Sequence, residues 1–269
     1  MHRRRYLALA AVSVAGLAGC TGLPGGGSGD GTPTAGPDIV TKATLQPALV
    51  GLWVDYLRPT GVDEQHLFLA LDAGDEGPAR EALSLEFGGA SHDPVPATEL
   101  RNLYRTREGD SHYSADSGTG LLVFSLPESA DARPASTRLS WPGGLWRPDA
   151  ALTERLQAPP PSLSVAFDGP AEVSADETVT VTATVTNEGD VDGRFVAGLN
   201  RYGPVVASYP VAKLSAAVPA GQSTAVEHAT AMSLIGEMDQ ADVGDGEVDG
   251  HFGLQYPGGD AEAAFAVVD

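Results

Sequence analysis

A chain of 269 residues with 36 Asp and Glu against 16 Lys and Arg carries a formal charge of −20 at neutral pH, and a surface of that sign repels nucleic acid and anionic headgroups. Hydrophobic residues make up 42% of it, too many for a chain that stays unfolded for want of apolar surface to bury. A single cysteine excludes an internal disulfide framework.

The chain opens on Arg3, Arg4, Arg5, Tyr6 and Leu7, continues as an apolar run to Ala18, and breaks after Gly19-Cys20. A charged start, an apolar segment and small residues before a break are the layout of an export signal. The run is too short to span a bilayer, since about 20 apolar residues are needed to cross roughly 30 Å of hydrocarbon. Consecutive arginines followed by a variable residue, an aromatic and Leu resemble the twin-arginine export signal, an address read by a translocase. Leu17-Ala18-Gly19-Cys20 resembles a lipobox. That resemblance implies removal of residues 1–19 and a two-chain lipid on Cys20, two chains being what stable anchorage requires. The alternative is a plain secretory peptide with an incidental cysteine. Residues 20–37, with Gly25-Gly26-Gly27-Ser28-Gly29 and Gly31-Thr32-Pro33-Thr34, are expected to form a flexible tether.

Residues 38–157 read as a β-rich domain, a length within the usual range of about 50 to 250. Val50, Leu52, Val54 and Tyr56 share one predicted strand face, Leu67, Leu69 and Leu71 a second, and Leu83, Leu85 and Phe87 a third. Gly120 to Pro127 is apolar on both faces, which predicts a central strand. Leu139 and Trp141 add a last segment, and Asp149 is placed to cap a short helix carrying Leu152 and Leu156 on one side.

Ala158-Pro159-Pro160-Pro161-Ser162 forces a stiff, extended connection, so 158–162 is the expected domain boundary. Beyond it, residues 163–269 alternate strongly. Val179, Val181, Ala183 and Val185 lie on one side of a predicted strand and threonines on the other, before Asn187-Glu188-Gly189-Asp190 supplies turn chemistry. Leu163, Val165 and Phe167 precede this strand. Segments around Phe195, Val226, Phe252 and Phe265 follow it.

The stretch from Ser162 to Asp269, through Glu177-Thr178-Val179-Thr180-Val181 to Asp190 and the later Val218-Pro219-Ala220-Gly221, resembles an immunoglobulin-like module of the CARDB type. The resemblance implies an antiparallel sandwich which, lacking a cysteine pair, is held by packing alone. It implies no single activity, because such scaffolds carry unrelated functions. The expected fold class is therefore all-β: two β-sandwich-like domains in tandem, the C-terminal one immunoglobulin-like, after a signal peptide and flexible tether.

Removing Arg3, Arg4 and Arg5 with the leader leaves 13 basic residues against 36 acidic ones, a formal charge of −23, and only Lys42 and Lys213 are lysines. High acidity with so little lysine resembles the proteins of salt-requiring archaea. The whole layout resembles the exported lipoproteins of halophilic archaea, a likeness that brings no activity with it. Salt would then support folding, since a Debye length of about 3 Å at 1 M screens self-repulsion.

Candidate sites are few. Asp245, Glu247 and Asp249 alternate before Gly250 as at the opening of a calcium loop. However, Tyr256 occupies the twelfth position, where a bidentate Glu belongs, and Phe252 to Tyr256 reads as a strand. The three acids are either weak Ca2+ ligands or an acidic loop solvated by salt cations, and no other cofactor is expected. Asp239 and Asp242 match no ligand pattern. His66, His92, His112, His228 and His251 show no zinc spacing. Glu108, Asp110, His112 and Asp116 form the densest mixed cluster, among glycines that suit a surface loop. Trp141 and Trp146 flank Pro142-Gly143-Gly144-Leu145, either as a stacking platform for carbohydrate or as apolar filling of a small core, and Trp53 is the third indole.

Two function classes remain. The first is a lipid-anchored protein on the extracytoplasmic face of the cell membrane, acting as a non-catalytic binding or scaffold module. Its partners would be the membrane, through the anchor, and a surface protein or polysaccharide, but no nucleic acid. The second is an exported hydrolase or metal-dependent enzyme with its site in the N-terminal domain, at the Glu108 to Asp116 loop. The first is preferred, because no converging set of polar groups can be assembled from the sequence.

Overall fold

The computed structural model describes residues 38–102, 111–128, 137–174, 177–203, 207–232 and 249–268, all within one compact unit, Pro33–Asp269. The leader with Arg3, Arg4, Arg5, Tyr6 and Leu7, the lipidation candidate Cys20 and the tether lie outside the described residues, as do Glu108, Asp110, Asp239, Asp242, Asp245 and Glu247. The fold is all-β. Among the described residues, the strands before the proline run are β1 Val40–Gln46, β2 Leu49–Trp53, β3 Tyr56–Thr60, β4 Glu64–Asp72, β5 Ser84–Phe87, β6 Ala90–His92, β7 Thr119–Pro127, β8 Arg138–Trp141 and β9 Gly144–Trp146. One helix, α1 Ala150–Gln157, leads to the prolines. After them come β10 Leu163–Asp168, β11 Glu172–Ser174, β12 Thr178–Asn187, β13 Gly193–Tyr202, β14 Tyr209–Val218, β15 Ser223–Ala231, β16 Gly250–Tyr256 and β17 Gly259–Val268.

The first body is two sheets face to face. Antiparallel β1-β4-β7 forms one layer and β6-β5-β8-β9 the other. Leu67, Leu69 and Leu71 of β4 meet Leu83, Leu85 and Phe87 between the layers, as their alternation predicts. Each such side chain contributes about 1.5–3 kcal/mol on full burial. β4 is the central strand. β7, expected in that place, pairs in its sheet with β4 alone. It is apolar on both faces because a core lies on each side: Leu122, Phe124 and Leu126 face the layer between the sheets, and Val123 packs with Phe68 and Leu100 behind it. Helix α1 closes the first core through Leu152 and Leu156. Its N-cap is the expected one, Asp149, whose Oδ1 accepts from Leu152 N at 2.8 Å.

The second body is a sandwich of β10-β12-β15 against β11-β17-β16-β13-β14. Val179, Val181, Ala183 and Val185 of β12 face Phe195, Ala197, Leu199, Phe252, Leu254 and Phe265 across the interior. In the turn after β12, Gly189 is not in the left-handed region. Instead the buried Asn187 side chain accepts from Gly189 N at 3.0 Å and donates to the carbonyls of Val191 and Val218, an Asx-type turn.

The hairpin β2–β3 belongs to neither sheet of the first body. The expected single strand face of Val50, Leu52, Val54 and Tyr56 is broken by a two-residue turn at Val54-Asp55, closed by Trp53 and Tyr56. Val54 has φ 49° and is 88% exposed, a conformation that costs a β-branched residue and here gains no packing. Val50 and Leu57 bury with Ala48 against Val196, on the outer face of β13. The edge groups of Leu57 find an amide partner: Leu57 N donates to Asn200 Oδ1 at 2.6 Å and Asn200 Nδ2 donates to Leu57 O at 2.9 Å. A side-chain carboxamide thereby takes the place of a neighbouring strand. Gly198 permits the approach, since a Cβ there would stand 2.7 Å from the backbone and Cβ of Leu57. No β-ladder joins strands before the prolines to strands after them among the described residues, and the two bodies meet through this hairpin together with contacts of β1 on β13 and of Lys213 over the Phe68 ring.

Candidate functional site

Strand alternation sets which side chains of the larger sheet face outward. On β13, Phe195, Ala197 and Leu199 enter the core, which turns Val196, Gly198, Asn200 and Tyr202 out. On β16, Phe252 and Leu254 go in, leaving His251, Gly253 and Gln255 out, and on β17 Asp260 and Glu262 stand opposite Gln255 and Gly253. The hairpin covers the part of this face that carries Val196, Gly198 and Asn200 and stops short of the rest. The result is a step. The outer face of β16–β17 with Tyr202 is a floor, the Arg58-Pro59 segment of β3 is a wall, and between them lies a groove of about 670 Å3.

The floor is aromatic and polar together. The Tyr202 ring stacks on the His251 ring, centroids 4.7 Å apart and planes 19° from parallel. It also lies over Gly253, where a Cβ would come within 2.6 Å of the tyrosine ring. Burial first, then the neighbouring Tyr56, Glu262 and Asp55, hold the Tyr202 hydroxyl above the usual phenol range, against a side-chain hydrogen bond with Gln255. The hydroxyl is therefore neutral at physiological pH and able to donate. His251 Nε2 stands 3.6 Å from Glu262 Oε1, whose side chain is 64% exposed. On the wall, the Arg58 guanidinium lies 3.8 Å from the centroid of the Trp53 ring. Its buried Nε has no hydrogen-bond partner, and one good acceptor is worth having for a charged donor.

Of the residues singled out in the sequence, Trp141 and Trp146 are half-buried in the first body, packed against its core. Trp141 lies over Gly144, its cross-strand partner, and neither indole reaches the groove. Trp53, 49% exposed, is the more accessible indole. Asp249 Oδ2 accepts from Val267 N at 2.8 Å and so holds the end of β17. His112 is half-buried beside β7, with a bridge between its backbone and Leu121, and Asp116 is exposed. Among the described residues no three His, Cys, Asp or Glu cluster as metal ligands do, and no helix is long and apolar enough to cross a membrane. The sequence reading missed Arg58, Tyr202, Gln255 and Glu262 as site residues and placed His251 in no site. One local signal was available: Gly253, in the middle of a strand, marks a place where something approaches the backbone closely.

Fold and site together define an all-β protein of two sandwiches with a groove where a hairpin of the first steps down onto the second. No protein-family model matches the chain, and no curated protein matches it. Among solved structures it is similar to a β-glucosidase from Listeria innocua in complex with gluconolactone, at 13% identity over 41% of this chain and 17% of that one, TM-score 0.31. It is similar to the β-glucosidase EmGH1 from Erythrobacter marinus at 16% identity over 40% and 16%, TM-score 0.32. The Pseudomonas fluorescens alkylpurine DNA glycosylase AlkC, bound to DNA containing an abasic site analogue, gives 11% over 40% and 30%, TM-score 0.29. The chain spans under a third of each of these proteins, and nothing about their activities transfers to it.

Proposed function

We propose that this protein is held on the extracytoplasmic face of the membrane by a lipid on Cys20 and works there by binding, through the groove between β3 and the β16–β17 face. The leader and lipobox-like residues support the address, and the CARDB-type resemblance suits a contact module. The observation that carries the binding reading is the company the groove keeps. A stacked Tyr202–His251 platform offers contact area, while the carboxylates beside it stand in water, Glu262 at 64% side-chain exposure. Carboxylates beside an aromatic platform accept hydrogen bonds from a ligand seated on it.

Two measurements test this. In a host with twin-arginine export and lipoprotein processing, the full chain should fractionate with membranes and require detergent for release, and Cys20→Ser should appear in the medium. A Cys20→Ser protein extracted only by detergent would overturn the anchor. The soluble Cys20→Ser protein should co-sediment with isolated cell envelopes. Adding Gly253→Ala, which displaces the Tyr202 ring, should abolish this without changing the circular dichroism spectrum. Unchanged co-sedimentation would remove the groove from the function.

A further inference from the structure

Resting on the groove reading above, we propose that the groove takes a neutral saccharide, a short stretch of a polyhydroxylated chain lying along the β16–β17 face.

The chemistry of the lining selects this class. A pyranose ring presents a flat patch of C–H groups and a rim of hydroxyls, so it needs an aromatic surface for the first and planar donors and acceptors for the second. Tyr202, held flat over Gly253 and against His251, supplies the aromatic part. Around it stand groups that bind vicinal hydroxyls in pairs: the carboxylates of Asp260 and Glu262 accept, the Gln255 amide does both, and the guanidinium of Arg58 donates.

Charge argues against the other candidates. Asp260 and Glu262, on a chain of net charge −20, disfavour a polyanion. Arg58 in the wall disfavours an organic cation seated on the same ring. A lining that carries both signs around an aromatic floor matches a ligand with no charge and many hydroxyls. Its volume, about 670 Å3, falls within the range of about 300–1,000 Å3 typical of small-ligand sites.

The test uses the soluble Cys20→Ser chain with defined probes: hexasaccharides of glucose, mannose and N-acetylglucosamine as the neutral arm, oligogalacturonate as the anionic arm and oligolysine as the cationic arm, each titrated by calorimetry in molar salt. At least one neutral probe is expected to bind and both charged arms to fail. Tyr202→Ala should weaken the neutral probe about tenfold or more. Tyr202→Phe, which keeps the ring and loses only the hydroxyl, should stay within about threefold. Thermal melts of both variants separate loss of binding from loss of fold. Binding of a neutral probe that Tyr202→Ala leaves untouched overturns the proposal. So does failure of all neutral probes. If envelopes still co-sediment in a Gly253-dependent way while no sugar binds, the saccharide assignment falls and the groove reading stands. If oligolysine binds with the same dependence on Tyr202, the ligand class is cationic instead.

Discussion

His66 lies in the central strand β4, 1% exposed, with Nε2 3.0 Å from Gly61 O and Nδ1 3.0 Å from Ser125 Oγ. A carbonyl can only accept, so Nε2 carries the proton and donates to Gly61 O, and the Ser125 hydroxyl donates to Nδ1. Protonating Nδ1 would reverse the second bond, leaving the Ser125 hydroxyl to accept, and would bury a charge. Burial accordingly lowers the His66 pKa from 6.5, against smaller opposing effects of the Gly61 carbonyl and Glu64. The folded chain therefore binds a proton less readily than the unfolded one. The contribution to stability is complete above about 6.5, the unfolded value. It is lost as the pH falls from there through the lowered folded value. His228, half-exposed and also lowered by burial, adds an effect of the same sign. Urea midpoints at constant salt should fall between pH 7.5 and 5, and His66→Gln should flatten that fall while costing stability at neutral pH. A variant curve as steep as the parent's would assign the pH dependence elsewhere.

At the scale of elements, the hairpin β2–β3 depends on one side chain for its edge. Asn200→Ala leaves the N–H and C=O of Leu57 buried without partners, at about 1–3 kcal/mol for each orphaned group. Chemical unfolding should show a loss of about 2–6 kcal/mol, and hydrogen exchange should speed up in the hairpin before it does in β4. A loss below about 0.5 kcal/mol would mean that water replaces the carboxamide at no cost. The same hairpin marks where the sequence stops being readable. Strands such as β5 and β12 were plain because one alternating apolar face is buried in one core. The turn at Val54-Asp55 was hidden because it contains no Gly or Asn, and apolar residues alternate straight through it. Strand β14 was hidden because Pro210 and its alanines and lone Lys213 blur the alternation. The groove was hidden for a different reason. Its residues come from β3, β13, β16 and β17, and each is, locally, an ordinary polar-face side chain. Only packing of the hairpin on one half of the sheet turns the other half into a site.

For the whole molecule, charge is the dominant quantity. A net −20 on one chain produces self-repulsion that weakens compact states and that salt screens within about 3 Å at 1 M. Ion pairing offsets little of it in the described residues: Arg138 with Glu86 at 2.9 Å is partly exposed on both sides, and such pairs are worth at most about 1 kcal/mol. Dilution from molar to tenth-molar salt should therefore lower the melting temperature. An unchanged midpoint would refute the reading of this surface as one adapted to brine.

The stepped joint between hairpin and sheet has a last consequence. Scission of the polypeptide at Pro159-Pro160-Pro161 would give two fragments with complete hydrogen-bonded ladders, one owning the floor and the other the wall, and neither a whole cleft. A single protease cut at the protruding Val54 loop would act alike, loosening the wall while sparing every floor residue. The cleft is thereby conditional on the covalent integrity of the chain, and a nicked copy would keep its ladders yet lose the joint that shapes the proposed site.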